Sequence, residues 1–135
     1  MSDFNISINV QEMIRDLPEG LFRAVLNTLA NHIGREKAIR RRDLVLLLSP
    51  LLRQKYKPSR YDRSVRLAIN QLRKQGYPIC STGGPNGGYF IAANREELEE
   101  YLQLEIHARA MDLLAQEQSM RAGSARLWPS QPSLF

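Results

Sequence analysis

Cysteine, histidine and long apolar runs are all scarce in this chain of 135 residues. The single cysteine, Cys80, excludes an intramolecular disulfide and is typical of a reducing cytoplasm. The longest apolar run, residues 44–52, is interrupted by Ser49 and Pro50 and is too short to span a bilayer. The first residues also lack the basic and apolar pattern of a secretory signal. We therefore expect a cytoplasmic protein with no membrane partner.

The sequence also has little of what an enzyme or a metal site needs. His32 and His107 stand alone, without cysteines or carboxylates at metal-ligand spacing. Four glutamates within residues 96–100 fall in the first turns of a predicted helix, where the helix dipole favours acidic side chains. The glycines of residues 83–88 turn a hairpin and do not precede a helix as a phosphate-binding loop does. These patterns predict a protein that is not an enzyme and has no metal and no cofactor.

Positive charge is abundant but unevenly distributed. The whole chain has 19 Lys/Arg and 14 Asp/Glu, a formal net charge of +5. Residues 34–76 contain 13 of the basic and only three of the acidic residues, a local net charge of +10. The remainder has six basic and 11 acidic residues and is therefore net negative. Charge concentrated in this way favours a polyanionic partner because binding releases condensed counterions.

Hydrophobic periodicity predicts a mainly helical chain with one small hairpin. Residues 1–18 form an arm with a short helix, in which Val10, Met13, Ile14 and Leu17 share a face before Pro18. The further predicted elements are a helix over 19–33, a very short strand at 38–39, a helix over 43–48 ending near Ser49–Pro50, a helix over 60–75, and strands over 78–81 and 89–92.

The helix over 60–75 carries the strongest functional signal. Ser59 is a good N-cap residue with Asp62 three positions on, and Gly76 provides a stop. One side of this helix is apolar and is expected to pack inward: Val65, Ala68, Ile69 and Leu72. The opposite side is polar and basic: Arg60, Arg63, Asn70, Gln71 and Lys74, with Arg66 and Arg73 at its margins. Such a face suits the DNA major groove because Arg pairs with guanine, Asn or Gln with adenine, and Lys neutralises phosphate.

Residues near the start of such a helix reach deepest into a groove, which adds Tyr61 and Ser64 to the candidates. Basic residues on neighbouring segments are further candidates for contacts with DNA. The full set of predicted contacts is Arg40, Arg41, Arg42, Lys55, Lys57, Arg60, Tyr61, Arg63, Ser64, Arg66, Asn70, Lys74 and Asn86. Leu67 also projects outward, and either contacts a thymine methyl group or packs on the connector over residues 51–58.

The run RSVRLAINQLRKQGYPICS followed by GGYFIA resembles the recognition helix and wing of winged helix-turn-helix domains in bacterial and phage regulators and replication proteins. The resemblance covers roughly residues 19–92. It implies a mainly α fold with a small β-hairpin wing, a double-stranded DNA partner and a nucleoid-associated location. It also implies that Arg60, Arg63, Arg66 and Asn70 face the groove.

Two features depart from this family. The connector over 49–58 is longer than the usual turn before the recognition helix. The wing tip, residues 83–88, has no Lys or Arg, so only backbone N–H groups or Asn86 are available for DNA there. A wing that is purely structural and a wing that contacts DNA therefore both remain open.

The remaining chain is predicted to be a long helix and a tail. Asn94 and Glu97 have the spacing of a capping box at the start of a helix over 94–120. An apolar stripe within residues 94–118 either belongs to the core or forms the seam of a homodimer. Residues 121–135 are rich in Gly, Ser and Pro and are expected to form a flexible tail. The predicted organisation is thus an arm (1–18), a winged-helix domain (19–93), a C-terminal helix (94–120) and the tail.

The last five residues, QPSLF, resemble the linear motif by which bacterial proteins dock on the DNA polymerase sliding clamp. Gln131, Ser133, Leu134 and Phe135 match the usual motif, and Pro132 departs from it. The resemblance implies that Gln131 sets the register while Leu134 and Phe135 fill an apolar pocket. Pro132 favours the extended backbone that such a peptide needs.

Three functions remain open at this stage. The first is a DNA-binding replication accessory or regulatory protein of bacterial, phage or plasmid origin that docks on the sliding clamp, including a phage protein that blocks the clamp. The second is a dimeric winged-helix transcriptional regulator whose tail is incidental. The third is a protein-interaction module that binds no DNA.

Overall fold

The computed structural model describes residues 10–15, 17, 19–85 and 87–129. It divides into two compact units, Met1–Leu98 and Glu99–Phe135. Within the described residues the chain is mainly helical with one small antiparallel sheet, as the sequence predicts. The elements of the first unit are α1 (residues 10–15), α2 (Leu21–Leu29), β1 (Ile39–Arg40), α3 (Arg41–Leu52), α4 (Tyr61–Lys74), β2 (Ile79–Ser81) and β3 (Gly88–Ile91), with 3-10 turns at Arg35–Lys37 and Pro58–Arg60.

The core of the first unit is formed by the apolar faces of α2, α3 and α4, which pack on one another. In α3 the buried leucines recur every fourth residue, so they lie on one side of the helix: Leu44, Leu48 and Leu52. In α4 the buried residues are the four that the periodicity predicts. Val10 and Ile14 of α1 join the same core, whereas the predicted core residue Met13 is exposed.

The three strands form a sheet in the order β1-β3-β2, with β3 paired antiparallel to both neighbours. Ser81 pairs with Tyr89, and the hairpin beyond them is closed by two hydrogen bonds between Thr82 and Gly88. The backbone N–H of Thr82 donates to the Gly88 carbonyl, and the Gly88 N–H donates to the Thr82 hydroxyl, both at 2.9 Å. The predicted hairpin and the predicted short strand before α3 are both confirmed, each with bounds shifted by about one residue.

The predicted end of the third helix near Ser49–Pro50 is wrong, because α3 continues to Leu52 with Pro50 inside it. Proline has no N–H to donate to the carbonyl of Leu46, four residues earlier. The Ser49 hydroxyl donates to that carbonyl instead, at 2.8 Å. Leu48 and Leu52 are buried on either side of the proline, so core packing stabilises the turn that proline weakens.

The predicted Ser59 N-cap is also wrong. Ser59 lies in a 3-10 turn, and α4 begins one residue after Arg60 without a side-chain capping bond. Pro58 at the start of that turn fixes the entry of the chain into α4. The predicted stop is confirmed, since Gly76 follows α4 with a φ of +100°, a conformation that favours glycine.

After β3 the chain forms α5 (Arg95–Tyr101), a π-helical segment (Leu102–His107) and α6 (Ala108–Leu127). The predicted capping box is confirmed at the start of α5. The Glu97 N–H donates to Asn94 Oδ1 at 2.8 Å, and the Ala93 N–H donates to Glu97 Oε1 at 3.1 Å. The predicted boundary at residue 120 is wrong because α6 runs to Leu127, and alanine and arginine in residues 121–127 are strong helix formers. Of the predicted tail, residues 130–135 lie outside the described residues.

In the second unit, the described residues 99–129 form no second element against which α6 can pack. Most of the large apolar side chains of this unit are exposed: Leu104, Ile106, Met111, Leu113, Leu114, Met120, Leu127 and Trp128. Four of them recur at intervals of seven residues: Ile106, Leu113, Met120 and Leu127. None of the helices in the described part of the chain has the length and apolar character needed to cross a membrane.

Candidate nucleic-acid interface

The outward face of α4 is polar and basic. Val65, Ala68, Ile69 and Leu72 anchor the helix in the core, which leaves its opposite side in solvent. Arg60, Arg63, Asn70, Gln71 and Lys74 are all exposed on that side, in agreement with the sequence prediction. Asn70 lies two helical turns after Arg63, and Lys74 one turn after Asn70, so the three polar side chains lie on the same side of the helix.

An open groove of about 570 Å³ runs along this face. It is lined on the α4 side by Arg60, Arg63, Ser64, Leu67, Ala68, Asn70, Gln71 and Lys74, and on the other side by Leu21, Phe22 and Tyr56. The groove thus combines an apolar wall from α2 and the connector with a polar, basic wall from α4. Leu21 and Phe22 follow the core periodicity of α2, so the sequence gives no signal that they also line this groove.

Arg66 differs from the other predicted contacts because it lies outside the groove. Its Nη1 atom is 4.0 Å from Asp62 Oδ2, one helical turn earlier, and both side chains are largely exposed. An exposed pair at this distance contributes little to stability. Arg66 is therefore able to exchange its partner for a phosphate group at small cost.

Tyr61 and Ser64 are less accessible than the arginines. Tyr61 is half-buried and packs against the core, and Ser64 is half-buried beside the groove. The cap pattern predicts a helix from residue 60, whereas α4 begins at Tyr61, and the position of Tyr61 at the helix start does not reveal that its side chain packs inward. These two residues are better placed to orient the start of α4 than to extend from it.

Tyr89 of β3 connects the hairpin to α3 and α4. The guanidinium carbons of Arg41 and Arg73 both lie 5.9 Å from the centroid of its ring, within the range of a cation–π interaction. Arg73 Nε also donates to the Ile79 carbonyl at 2.7 Å. Arg73, which the sequence places at the margin of the polar face, therefore ties α4 to the hairpin.

Three consecutive arginines, Arg40, Arg41 and Arg42, are exposed at the start of α3. This is the positive end of the helix dipole, so the cations add to a potential that already attracts anions. Asp43 is the only acidic residue in that first turn. The three arginines and the helix end therefore produce a locally positive potential.

The other predicted contacts are more dispersed. Lys55 and Lys57 are exposed on the connector, and Lys55 Nζ lies 5.9 Å from the ring centroid of Tyr56. At the wing tip, Gly83, Gly84 and Pro85 are exposed, and Gly84 has a φ of +87°. Asn86 and the four predicted clamp contacts of residues 131–135 lie outside the described residues.

Cys80 and His32 are held by contacts within the fold. Cys80 is fully buried in β2, and burial, followed by the nearby charge of Glu97, raises the pKa of its thiol to about 12 despite the opposing charge of Arg73. It therefore stays a neutral thiol near pH 7. His32 Nδ1 donates to the Lys37 carbonyl at 2.7 Å. Over residues 10–15, 17, 19–85 and 87–129, no group of three His, Cys, Asp or Glu side chains comes close enough together to hold a metal ion.

Comparison of the chain with protein-family models, with curated proteins and with solved structures finds no match. The interpretation of this surface therefore depends on its own chemistry.

Proposed function

We propose that residues 19–93 form a winged helix-turn-helix domain that binds double-stranded DNA with α4 in the major groove. The observation that carries this proposal is the exposed face of α4, where Arg60, Arg63, Asn70 and Lys74 lie along one groove. The order of elements supports it, since α2, β1, α3, α4 and the β2–β3 hairpin follow one another as helix, strand, two helices and wing. The protein acts by binding rather than by catalysis, and its place is on the nucleoid in the cytoplasm.

Within this proposal the residues have two kinds of role. Arg63, in the first turn of α4, and Asn70, two turns further on, contact base edges, since Arg and Asn each form paired hydrogen bonds with a base. Arg60, Lys74, the connector lysines and the arginines at the start of α3 contact phosphates and fix the orientation of the domain. Arg66 contacts a phosphate after release from Asp62. The wing tip has no charged side chain, so Asn86 and backbone N–H groups are its available contacts with DNA. Tyr89 of β3 packs against Arg41 and Arg73 and joins the hairpin to α3 and α4.

The direct experiment is a titration of short fluorescent duplexes with the full chain at several salt concentrations. Binding that weakens as salt rises, with a slope of log Kd against log salt near 0.9 per neutralised phosphate, supports the proposal. If the chain binds no duplex at low salt, the proposed function is wrong and the alternative of a protein-interaction module on the same scaffold is favoured.

We further propose that Gln131–Phe135 docks on the bacterial sliding clamp, which makes the protein a replication accessory or regulator. This part rests on the QPSLF sequence alone. A weak peptide contact and a weak DNA contact reinforce each other, because binding at one raises the effective concentration at the other.

For the tail, we expect the full chain to bind purified clamp with a micromolar Kd, measured by calorimetry. Replacing Leu134 and Phe135 together with alanine should weaken this binding by at least about 30-fold, since two apolar side chains lose their burial. The same variant should bind duplex DNA unchanged. Leu104→Ala with Trp128→Ala, which also removes two exposed apolar side chains, is the matched control, and equal losses in both variants would contradict a specific tail.

Pairing of two copies is a second proposal, supported by the exposed seven-residue repeat formed by Ile106 of the π-helical segment and by Leu113 and Met120 of α6. A single helix cannot bury these three side chains within its own unit, whereas a second copy presents the same stripe. Antiparallel pairing with Leu113 at the two-fold axis places Ile106 opposite Met120. It also places Glu105 opposite Arg121, whereas parallel pairing brings like charges together.

Leu113→Glu tests this pairing because it places two carboxylates at the axis, where their burial is costly. We expect light scattering to give a dimer for the unmodified chain and a monomer for this variant at the same concentration. Met111→Glu is the control, because Met111 is similarly exposed, at 52% against 57%, but lies two residues away on the opposite side of α6. A dimer that survives Leu113→Glu, or dissociation by both variants, would contradict this seam.

A further inference from the structure

Leu67 is the one strongly exposed large apolar side chain on the outward face of α4 among the described residues. It retains 54% of its accessible surface, so the connector does not cover it. Its neighbours on the same face, one helical turn away in either direction, are Arg63, Asn70 and Gln71. More than half of the surface of this leucine therefore remains in water in the free protein, beside hydrogen-bonding side chains.

The groove shows what kind of ligand group Leu67 can meet. Leu67 lines it together with Leu21, Phe22 and Tyr56, so the groove wall is apolar at this level and polar along the rest of α4. A ligand that fits must therefore present an apolar group among hydrogen-bonding groups. A phosphate backbone does not offer this combination, because it presents charged oxygens.

In the DNA major groove the base edges present hydrogen-bond donors, acceptors and a single apolar group, the C5-methyl of thymine. We infer that Leu67 contacts a thymine methyl group and thereby selects an A·T pair at one position of the DNA site, between the bases addressed by Arg63 and Asn70. This inference rests on the proposed DNA binding and adds a specificity-determining residue to it. Desolvation of one methyl group is worth about fourfold in affinity.

The test uses a duplex selected by the unmodified full chain from a randomised pool. Each thymine of that duplex is replaced in turn by uracil, which removes the methyl group and leaves the hydrogen-bonding edge unchanged. Kd is measured by fluorescence anisotropy for the unmodified chain and for Leu67→Ala. Leu47→Ala is the matched control, since Leu47 is 61% exposed on α3 and does not line the groove.

We expect one thymine at which uracil weakens binding about fourfold for the unmodified chain and for Leu47→Ala. For Leu67→Ala the thymine and uracil duplexes should bind alike. The inference is overturned if uracil has no effect at any position, or if its effect persists in Leu67→Ala. A pool that yields no bound duplex contradicts the proposed function itself, so the two failures are distinguishable. Circular dichroism establishes that the alanine variants fold.

Discussion

Replacement of Arg60 and Arg63 together by alanine is expected to weaken duplex binding by at least about tenfold at moderate salt. Arg60 neutralises a phosphate and Arg63 addresses a base, and both line the groove on the outward face of α4. Loss of one phosphate contact should also lower the slope of log Kd against log salt by about 0.9. Both side chains are exposed, so the variant should unfold at nearly the same temperature as the unmodified chain.

The control for this experiment is Arg109→Ala with Arg126→Ala, which removes the same charge from the exposed surface of α6. This second variant should bind DNA with nearly unchanged affinity, because its arginines belong to the other unit and line no part of the groove. Equal losses in the two variants would show that only net charge matters and that α4 does not read the DNA. Unchanged binding in the Arg60 and Arg63 variant would contradict the proposed interface outright.

Asn70→Ala separates base recognition from phosphate binding within the same face. Paired hydrogen bonds between Asn and adenine distinguish one base from another but add little to the general attraction of the protein to DNA. We therefore expect this variant to bind the selected duplex more weakly. Its affinity for an unrelated duplex and its slope of log Kd against log salt should stay unchanged. Lysine variants on the connector should show the reverse. The distinction matters because the basic segment over 34–76 alone explains attraction to any polyanion.

The local parts of this fold could be predicted from sequence because short-range rules determine them. The apolar residues of α4 are spaced so that only one side can be buried, and the structure buries that side. Asn94 and Glu97 form their capping bonds within four residues of each other. The glycine at 76 and the hairpin likewise depend on backbone conformations that neighbouring residues dictate.

The errors arise where a second interaction, either from a neighbouring residue or from the core, overrides the rule that one residue suggests. Pro50 marks a helix end by its missing N–H, but Ser49 satisfies the free carbonyl and the core holds Leu52. Ser59 has the right side chain for a cap, yet Pro58 sets a 3-10 turn there and moves the start of α4. The π-helical segment at Leu102–His107 shifts the helical phase between α5 and α6, and periodicity alone does not reveal it.

The candidate site likewise has one part that local sequence predicts and one part that depends on tertiary packing. Its basic wall comes from α4 and the adjoining 3-10 turn, so local spacing is sufficient to assemble Arg60, Arg63, Asn70 and Lys74. Its apolar wall comes from α2 and the connector, which approach α4 only through tertiary packing. The role of Arg73 was missed for the same reason, because its partners Ile79 and Tyr89 lie on strands.

Gly88→Ala is expected to destabilise the first unit by about 2–4 kcal/mol, because a side chain forced into a packed site displaces its neighbours. A Cβ atom at Gly88 would overlap the carbonyl group of Ile39. This carbonyl belongs to the backbone, so it cannot rotate away as a side chain can. Strands β1 and β3 would have to separate, which breaks the pairing of Arg40 with Gly88. For a domain of this size, the loss corresponds to a fall of about 10 °C or more in the unfolding midpoint.

Gly83→Ala is the matched control for Gly88→Ala because it adds the same methyl group to the same hairpin. No heavy atom lies within 4 Å of a Cβ built at Gly83, and its φ is not positive. Alanine there should leave the midpoint within about 2 °C, since surface changes away from special contacts cost little. Equal stability of the two variants, measured by calorimetry, would contradict the close approach of β1 and β3.

Gly88→Ala should also weaken DNA binding at temperatures below its unfolding midpoint, because β1 leads directly into the arginines of α3. Gly83→Ala should leave DNA binding unchanged.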